Sequence, residues 1–275
     1  MTELLDLGLP AGSDAPPLAT GWDLDAPIGD TIIRRYLHHW AAYCDAYATA
    51  GGGVTLDRRA YRVGDLRRPS GYFNSVTLMR PLTDGVLDRI EADLVGGTGE
   101  VLLWSAWPTP DLTHRGWSLV GHPPLLIRPP AAVLPAPQSS VEVDRVTSPD
   151  ELQAWERVAI DGYPLDELRD ADPGDLAAPC LLDDDRFAFW VGRVGGDPVS
   201  IGTSFVEHGI GSFALGVTMP DARRRGHWLA HATARLRHSP DVWMTGVFSD
   251  FSRPGAESIG FVPITRLTLW ALPRP

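Results

Sequence analysis

Apolar and polar positions recur along this chain with two different periods, and the changes of period mark its elements. Between residues 31 and 49, Ile32, Ile33, Tyr36, Leu37, Trp40 and Cys44 form the stripe of a helix, which glycines 51 to 53 end. A strand is expected over 72–79, stopped by Pro81, then a helix from Asp84 to Leu94 and a second strand over 100–104. A short helix over 111–115 and a strand over 124–127 complete the first half. Residues 1 to 25, rich in Gly, Pro and Asp, read as an extended or partly ordered arm. Pro129, Pro130, Pro135 and Pro137 make 128–140 a semi-rigid linker, because proline fixes φ and removes a donor.

The second half begins with alternation over 141–146, a strand. Ser148-Pro149-Asp150-Glu151 then opens a helix with a capping pattern and proline in its first turn. Leu152, Trp155, Val158 and Ala159 form its apolar side. Residues 162–185 are acidic and proline-bearing, and 186–206 read as a hairpin about the turn at 195–198. Another turn at His208-Gly209 returns the chain into a third strand, and later strands are expected over 241–248 and 265–272.

The remainder is organised around 212–237, SFALGVTMPDARRRGHWLAHATARLR. An apolar run of strand length meets the breaker Met219-Pro220-Asp221, three arginines and Gly226. Leu229, Ala232 and Leu236 then recur at helical spacing. A helix that starts just beyond a buried strand presents unpaired N–H donors and a partial positive charge, which suit a phosphate or pyrophosphate. Arginine forks beside it match phosphate oxygens.

This stretch resembles the acetyl-CoA-binding core of the GNAT N-acetyltransferase superfamily: a strand, a V-x-P-like exit and [Q/R]-x-x-G-x-[G/A] at a helix start. Val217-Thr218-Met219-Pro220 supplies the exit, and Arg223-Arg224-Arg225-Gly226-His227-Trp228 the loop. Trp228 stands where the family prefers Gly or Ala; its indole either crowds the pyrophosphate or turns away. Ser249 to Phe261, ending Ile259-Gly260-Phe261, resembles a second signature, a short helix ending in Leu-Gly-Phe. The first half resembles more loosely the degenerate front half of tandem members, and nothing in 31–130 matches R-x-x-G-x-G. The fold implied is α/β (α+β), with two modules, each a mixed, mostly antiparallel sheet flanked by helices. The implied division is an arm at 1–27, a degenerate domain at 28–130, a linker at 131–140 and a transferase domain at 141–275.

The resemblance implies direct acetyl transfer from acetyl-CoA to an amine of a small molecule or protein. Backbone groups of Gly216, Val217 and Thr218 would run beside pantetheine, and Arg223, Arg224, Arg225, Gly226, His227 and Trp228 would hold the pyrophosphate. In this family a tyrosine four residues before the glycine of Gly-Phe often protonates the thiolate; Ala256 holds that place. Ser249, Ser252 or water are the alternatives. Glu207, His208 and Asp250 are candidate bases, although Glu207-His208 also reads as an exposed turn and Asp250 as a helix cap.

Composition narrows the classes. The 275 residues carry a net charge of −11, and every basic residue is arginine. So acidic a chain suits nucleic acid poorly, and Arg223 to Arg225 is too short a cluster for a phosphate-backbone footprint. Cys44 and Cys180 lie far apart, with no metal-ligand spacing, so buried inert thiols and no metal are expected. No membrane-span-length apolar run and no signal-peptide pattern occur, which implies a cytoplasmic protein. A homodimer is one assembly expected of it. Two competing readings remain: a non-catalytic module of the same fold that binds CoA or a protein partner, and an unrelated fold with a coincidental Arg-Gly turn.

Overall fold

The first helix forms where its stripe places it. The computed structural model describes residues 32–130, 134, 139–163 and 165–275, so the arm at 1–27 and most of the linker lie outside it. α1 (Ile32–Ala50) buries Tyr36, Leu37, Tyr43, Cys44 and Tyr47. It ends as Gly51 and Gly53 donate back to Tyr47 O at 3.0 Å and Ala48 O at 2.6 Å. A hairpin absent from the sequence reading follows: β1 (Val54–Asp57) and β2 (Tyr61–Asp65). These strands are short, and the charged residues between them conceal the alternation.

β3 (Asn74–Leu78) starts two residues later than expected, behind a 3-10 turn at Gly71–Phe73. Buried Asn74 donates to Arg68 O at 2.6 Å and Glu100 O at 2.7 Å, fixing the approach to the next parallel strand. α2 (Asp84–Asp93) is capped by Thr83, whose side chain accepts from Val86 N. Then come β4 (Val101–Ser105), a 3-10 turn at Thr113–Arg115 in place of the expected short helix, β5 (Ser118–Gly121) and β6 (Pro124–Arg128). The second half contains β7 (Glu142–Arg145) and α3 (Pro149–Gly162), whose cap Ser148 accepts from Glu151 N as the capping pattern requires. β8 (Phe187–Val194), β9 (Asp197–Glu207), β10 (Ile210–Thr218) and α4 (His227–His238) follow. β11 (Trp243–Val247), α5 (Arg253–Ser258), β12 (Val262–Arg266) and β13 (Thr268–Leu272) complete the chain.

The strands form two mixed sheets, β1-β2-β3-β4-β13-β5 and β12-β6-β11-β10-β9-β8-β7. In each, one pair is parallel and joined through a helix: β3 with β4 through α2, and β10 with β11 through α4. The sheets exchange strands. β6, from the first half, lies between β11 and β12, whereas β13, the last strand, lies between β4 and β5. The expected single strand over 265–272 is therefore two, parted at buried Leu267, where the chain leaves one sheet for the other. Arg274 fastens the end of the chain to the front sheet, giving two bonds to Asp65 at 2.6 and 3.0 Å. Both side chains are about 95% buried, so the pair is shielded from solvent screening.

α1 lies against both sheets. Trp40 meets Trp104 of the front sheet at 4.8 Å, and Tyr43 meets Phe205 of the rear sheet at 5.5 Å between ring centroids. With α3 it covers one face of the rear sheet, where Trp155, Phe187, Phe189 and Phe205 form the core. The other face is covered by α4 and α5 through Ala232, Leu236 and Ala256, with Phe261 just after α5. Cys44 is buried as expected, but Cys180 is exposed, because the loop that carries it lies on the surface beside α1.

Candidate functional site

Two parallel strands that stop pairing create the site. β10 and β11 are in register from Ile210↔Trp243 to Phe213↔Gly246, and beyond that they separate. On its other edge β10 breaks register with β9 between Ala214 and Val217, and Leu215 there has φ of 42°. This bulge turns backbone groups away from the ladder. Tyr163, the C-cap residue of α3, donates its hydroxyl to Gly216 O at 2.8 Å and holds the bulge in place. Burial, with Tyr72 nearby, raises the Tyr163 phenol well above its ordinary pKa. The opening leads into a cleft of about 740 Å³. Residues 212–216 line one wall and 246–252 the other. On the α1 side the lining is aromatic, with Tyr36, Trp40, Tyr43, Tyr72 and Trp104. Tyr36 Oη and Trp40 Nε1 have no hydrogen-bond partner among the described residues.

The loop from β10 to α4 was expected to hold the pyrophosphate, and its residues divide by environment. Arg223 donates to Thr218 O at 3.0 Å and to Gly162 O at 3.1 Å, tying the end of β10 to the C-terminus of α3. Arg224 and Arg225 are exposed, with Arg224 at φ 62°. Gly226 is left-handed at φ 78° and precedes α4, whose first helical bond is Ala230 N to Gly226 O at 3.1 Å. The N–H groups of His227, Trp228 and Leu229 thus come before the first bonded turn. His227 is buried, with Nδ1 2.8 Å from Ser139 Oγ, and burial lowers its pKa, with Arg225 adding to the effect. Its side chain serves the end of the linker, not the loop.

The Trp228 indole packs between the cleft wall and α5. It meets the Phe248 ring edge-on at 6.2 Å and lies over α5, where a Cβ added to Gly255 would be 3.0 Å from the ring. Small residues on α5, Gly255 and buried Ala256, make space for the indole. Packed there, the indole forms part of the cleft wall beside Phe248.

Ser249 and Asp250 line the cleft; Ser249 Oγ is 3.1 Å from Ser252 Oγ, and Asp250 is exposed at the mouth. Glu207 is placed elsewhere. It lies at the closed end of the β9–β10 hairpin, opposite Ile210, and its carboxylate accepts from Arg186 at 3.0 Å, outside the cleft lining. Two residues that the sequence reading missed do reach the site: Tyr163 and Arg235, a buried arginine on α4. Tyr163 was passed over because a tyrosine was sought only near Gly260. Arg235 carried a signal, since it continues the inward stripe Trp228, Ala232 at i+4 and i+7. Among the described residues no group of three or more His, Cys, Asp and Glu could hold a metal, and no helix is long and apolar enough to cross a membrane.

No protein-family model matches the sequence, and comparison with curated proteins gives no match. Solved structures do match. One is a GCN5-related N-acetyltransferase from Kribbella flavida, 17% identical, with a TM-score of 0.61 over 90% of this chain and 98% of that one. Another is described as a putative acetyltransferase of the GNAT family from Novosphingobium aromaticivorans, 15% identical, with a TM-score of 0.53 over 86% and 96% of the two chains. A functionally unknown protein from Staphylococcus epidermidis, 11% identical, gives 0.57 over 81% and 95%.

Proposed function

We propose that this chain, which has the fold of the GCN5-related N-acetyltransferases, transfers an acetyl group from acetyl-CoA to an amine. The observation that carries the proposal is the opening between β10 and β11, with a backbone bulge on one side and the start of α4 at its end. The backbone edge at 214–218 offers hydrogen bonds to the pantetheine amides and an N–H for the oxyanion that develops on the thioester carbonyl. The N–H groups at the start of α4, with Arg224 and Arg225, would bind the pyrophosphate.

The amine would enter from the α1 side, where the aromatic lining favours a flat, apolar body. There its nitrogen attacks the thioester carbon and the C–S bond breaks, with Asp250 accepting the amine proton and Ser249 or Ser252 relaying a proton to the departing thiolate, the hydroxyl being reprotonated from Asp250 or water. Holding both reactants in one cleft supplies the proximity on which direct transfer depends. Both sheets contain the same run of three antiparallel strands, a helix and a parallel strand, but the front sheet has residues 79–83 where the rear has its arginines and Gly226. Apart from the exchanged strands β6 and β13, this supports reading 28–130 as a module of the same origin that does not hold the cofactor, and 141–275 as the transferase module.

The test is release of free CoA thiol from acetyl-CoA across a panel of aryl and alkyl amines. Amine-dependent release, greatest for aryl amines, is expected. A second reading, a module that holds CoA without chemistry, is favoured by Ala256 in place of a tyrosine; saturable CoA binding with no thiol release from any amine would establish it.

A further inference from the structure

α4 brings a cation to the wall of the cleft with no acid among the described residues to meet it. Arg235 is 2% exposed, and its guanidinium carbon lies 3.9 Å from the centre of the Phe213 ring. Nη1 donates to Thr203 O at 3.3 Å, while Nε has no partner among the described residues. Among those residues no carboxylate forms an ion pair with it. The sheet is shaped to receive the group: a Cβ on Gly202 would be 3.0 Å from its Cζ, and one on Gly216 would be 3.4 Å from Nη2. The guanidinium therefore lies directly against the bulged strand, beside the opening. Burial lowers its pKa to about 9, so it remains charged at neutral pH. A desolvated arginine without a counter-charge is costly to keep, and α4 has Ala232 and Leu236 for its packing.

We propose that Arg235 receives a carboxylate that a substrate carries into the cleft. The inference rests on the acyl-transfer reading and narrows its substrate class. The planar fork matches a carboxylate in two-point geometry, and exclusion of water strengthens that pairing. The carboxylate belongs either to the acyl group, as in the CoA thioester of a dicarboxylic acid, or to the acceptor, as in an amino acid.

Two arms of one experiment distinguish these sources on the intact protein. In the first, succinyl-CoA and butyryl-CoA are compared by titration calorimetry, with CoA and acetyl-CoA as references. In the second, KM is measured for amino acids against their methyl esters. In one arm the carboxylate partner is expected to win by tenfold or more. Arg235→Gln should abolish that preference while neutral ligands still bind, and Arg235→Lys should restore part of it. A preference under twofold in both arms, in wild-type protein that binds CoA, overturns the proposal without needing a variant to fold. So does a preference that survives in Arg235→Gln. Failure of every CoA thioester to bind is a different outcome: it removes the transferase reading, and this inference with it.

Discussion

Replacing Gly226 by aspartate is expected to weaken CoA binding by two orders of magnitude or more, whereas asparagine at the same position should leave it within a few fold. Gly226 has φ of 78° and immediately precedes α4. Asn and Asp are the side chains that best tolerate this left-handed conformation, and they have nearly the same shape. Both can also accept a bond from the open N–H groups of the first turn, as N-cap residues do. Any cost of strain or capping is thus shared, and the pair isolates charge. A carboxylate about 5 Å from a pyrophosphate charge, at an effective dielectric near 20, opposes binding by about 3 kcal/mol. That is roughly two hundredfold in affinity. The difference should shrink as salt rises, because the loop is exposed. Equal affinities for the two variants would place the pyrophosphate away from the start of α4.

Lowering the pH from 7.5 to 5 is expected to remove about 4 kcal/mol of stability through two buried histidines alone. His39 and His231 are almost wholly buried, and burial lowers their pKa values to about 4 and about 3. The neutral ring of His39 places Nδ1 3.1 Å from Glu207 O and lies 5.1 Å from the Phe205 ring. His231 lies against Gly192, where a Cβ would come within 2.6 Å of Nε2, and the neighbouring Arg235 and His227 charges further disfavour its protonation. Unfolded histidine titrates near 6.5, so between that value and the folded ones the unfolded state binds more protons. Stability is therefore fully present above about pH 6.5 and falls as the pH drops toward the folded values. At pH 5 each histidine contributes a loss of about 2 kcal/mol. Urea denaturation at the two pH values measures it. Each of His39→Gln and His231→Gln should reduce the pH-dependent loss by about half, whatever the substitution costs at pH 7.5. A variant whose loss equals the wild-type loss would mean that the ring is already accessible to protons in the folded state.

Much of the rear half was legible because its signals are local. The capping pattern at Ser148 to Glu151, the turn at 195–198 and the change of period across Met219-Pro220 each depend on a few neighbouring residues. The loop and helix that carry the candidate phosphate site fall in this class. The strand exchange was not legible. Leu125, Leu126 and Ile127 read as a buried strand whichever sheet receives them, and only contacts far along the chain place β6 beside β11. The division at Leu267 is hidden for the same reason, since the alternation of polar and apolar positions runs on through Arg266, Leu267, Thr268 and Leu269 into β13. Tyr163 and Arg235 show how site residues escape a motif search. Tyr163 reaches the cleft from α3, outside both signatures, and Arg235 from the second half of α4, beyond the signature loop, through the packing of α3 and α4 against opposite faces of one sheet. Trp228 shows a residue whose placement depended on its neighbour: small residues on α5 let the indole pack against that helix, in the wall of the cleft.

The most direct measurement is a crystal structure of the protein with CoA. Pantetheine should lie between β10 and β11, hydrogen-bonded to the backbone of 214–218, with the pyrophosphate against the N–H groups of 226–229. CoA bound elsewhere on the surface, or β10 and β11 paired along their full length with the cleft closed, would contradict the assignment.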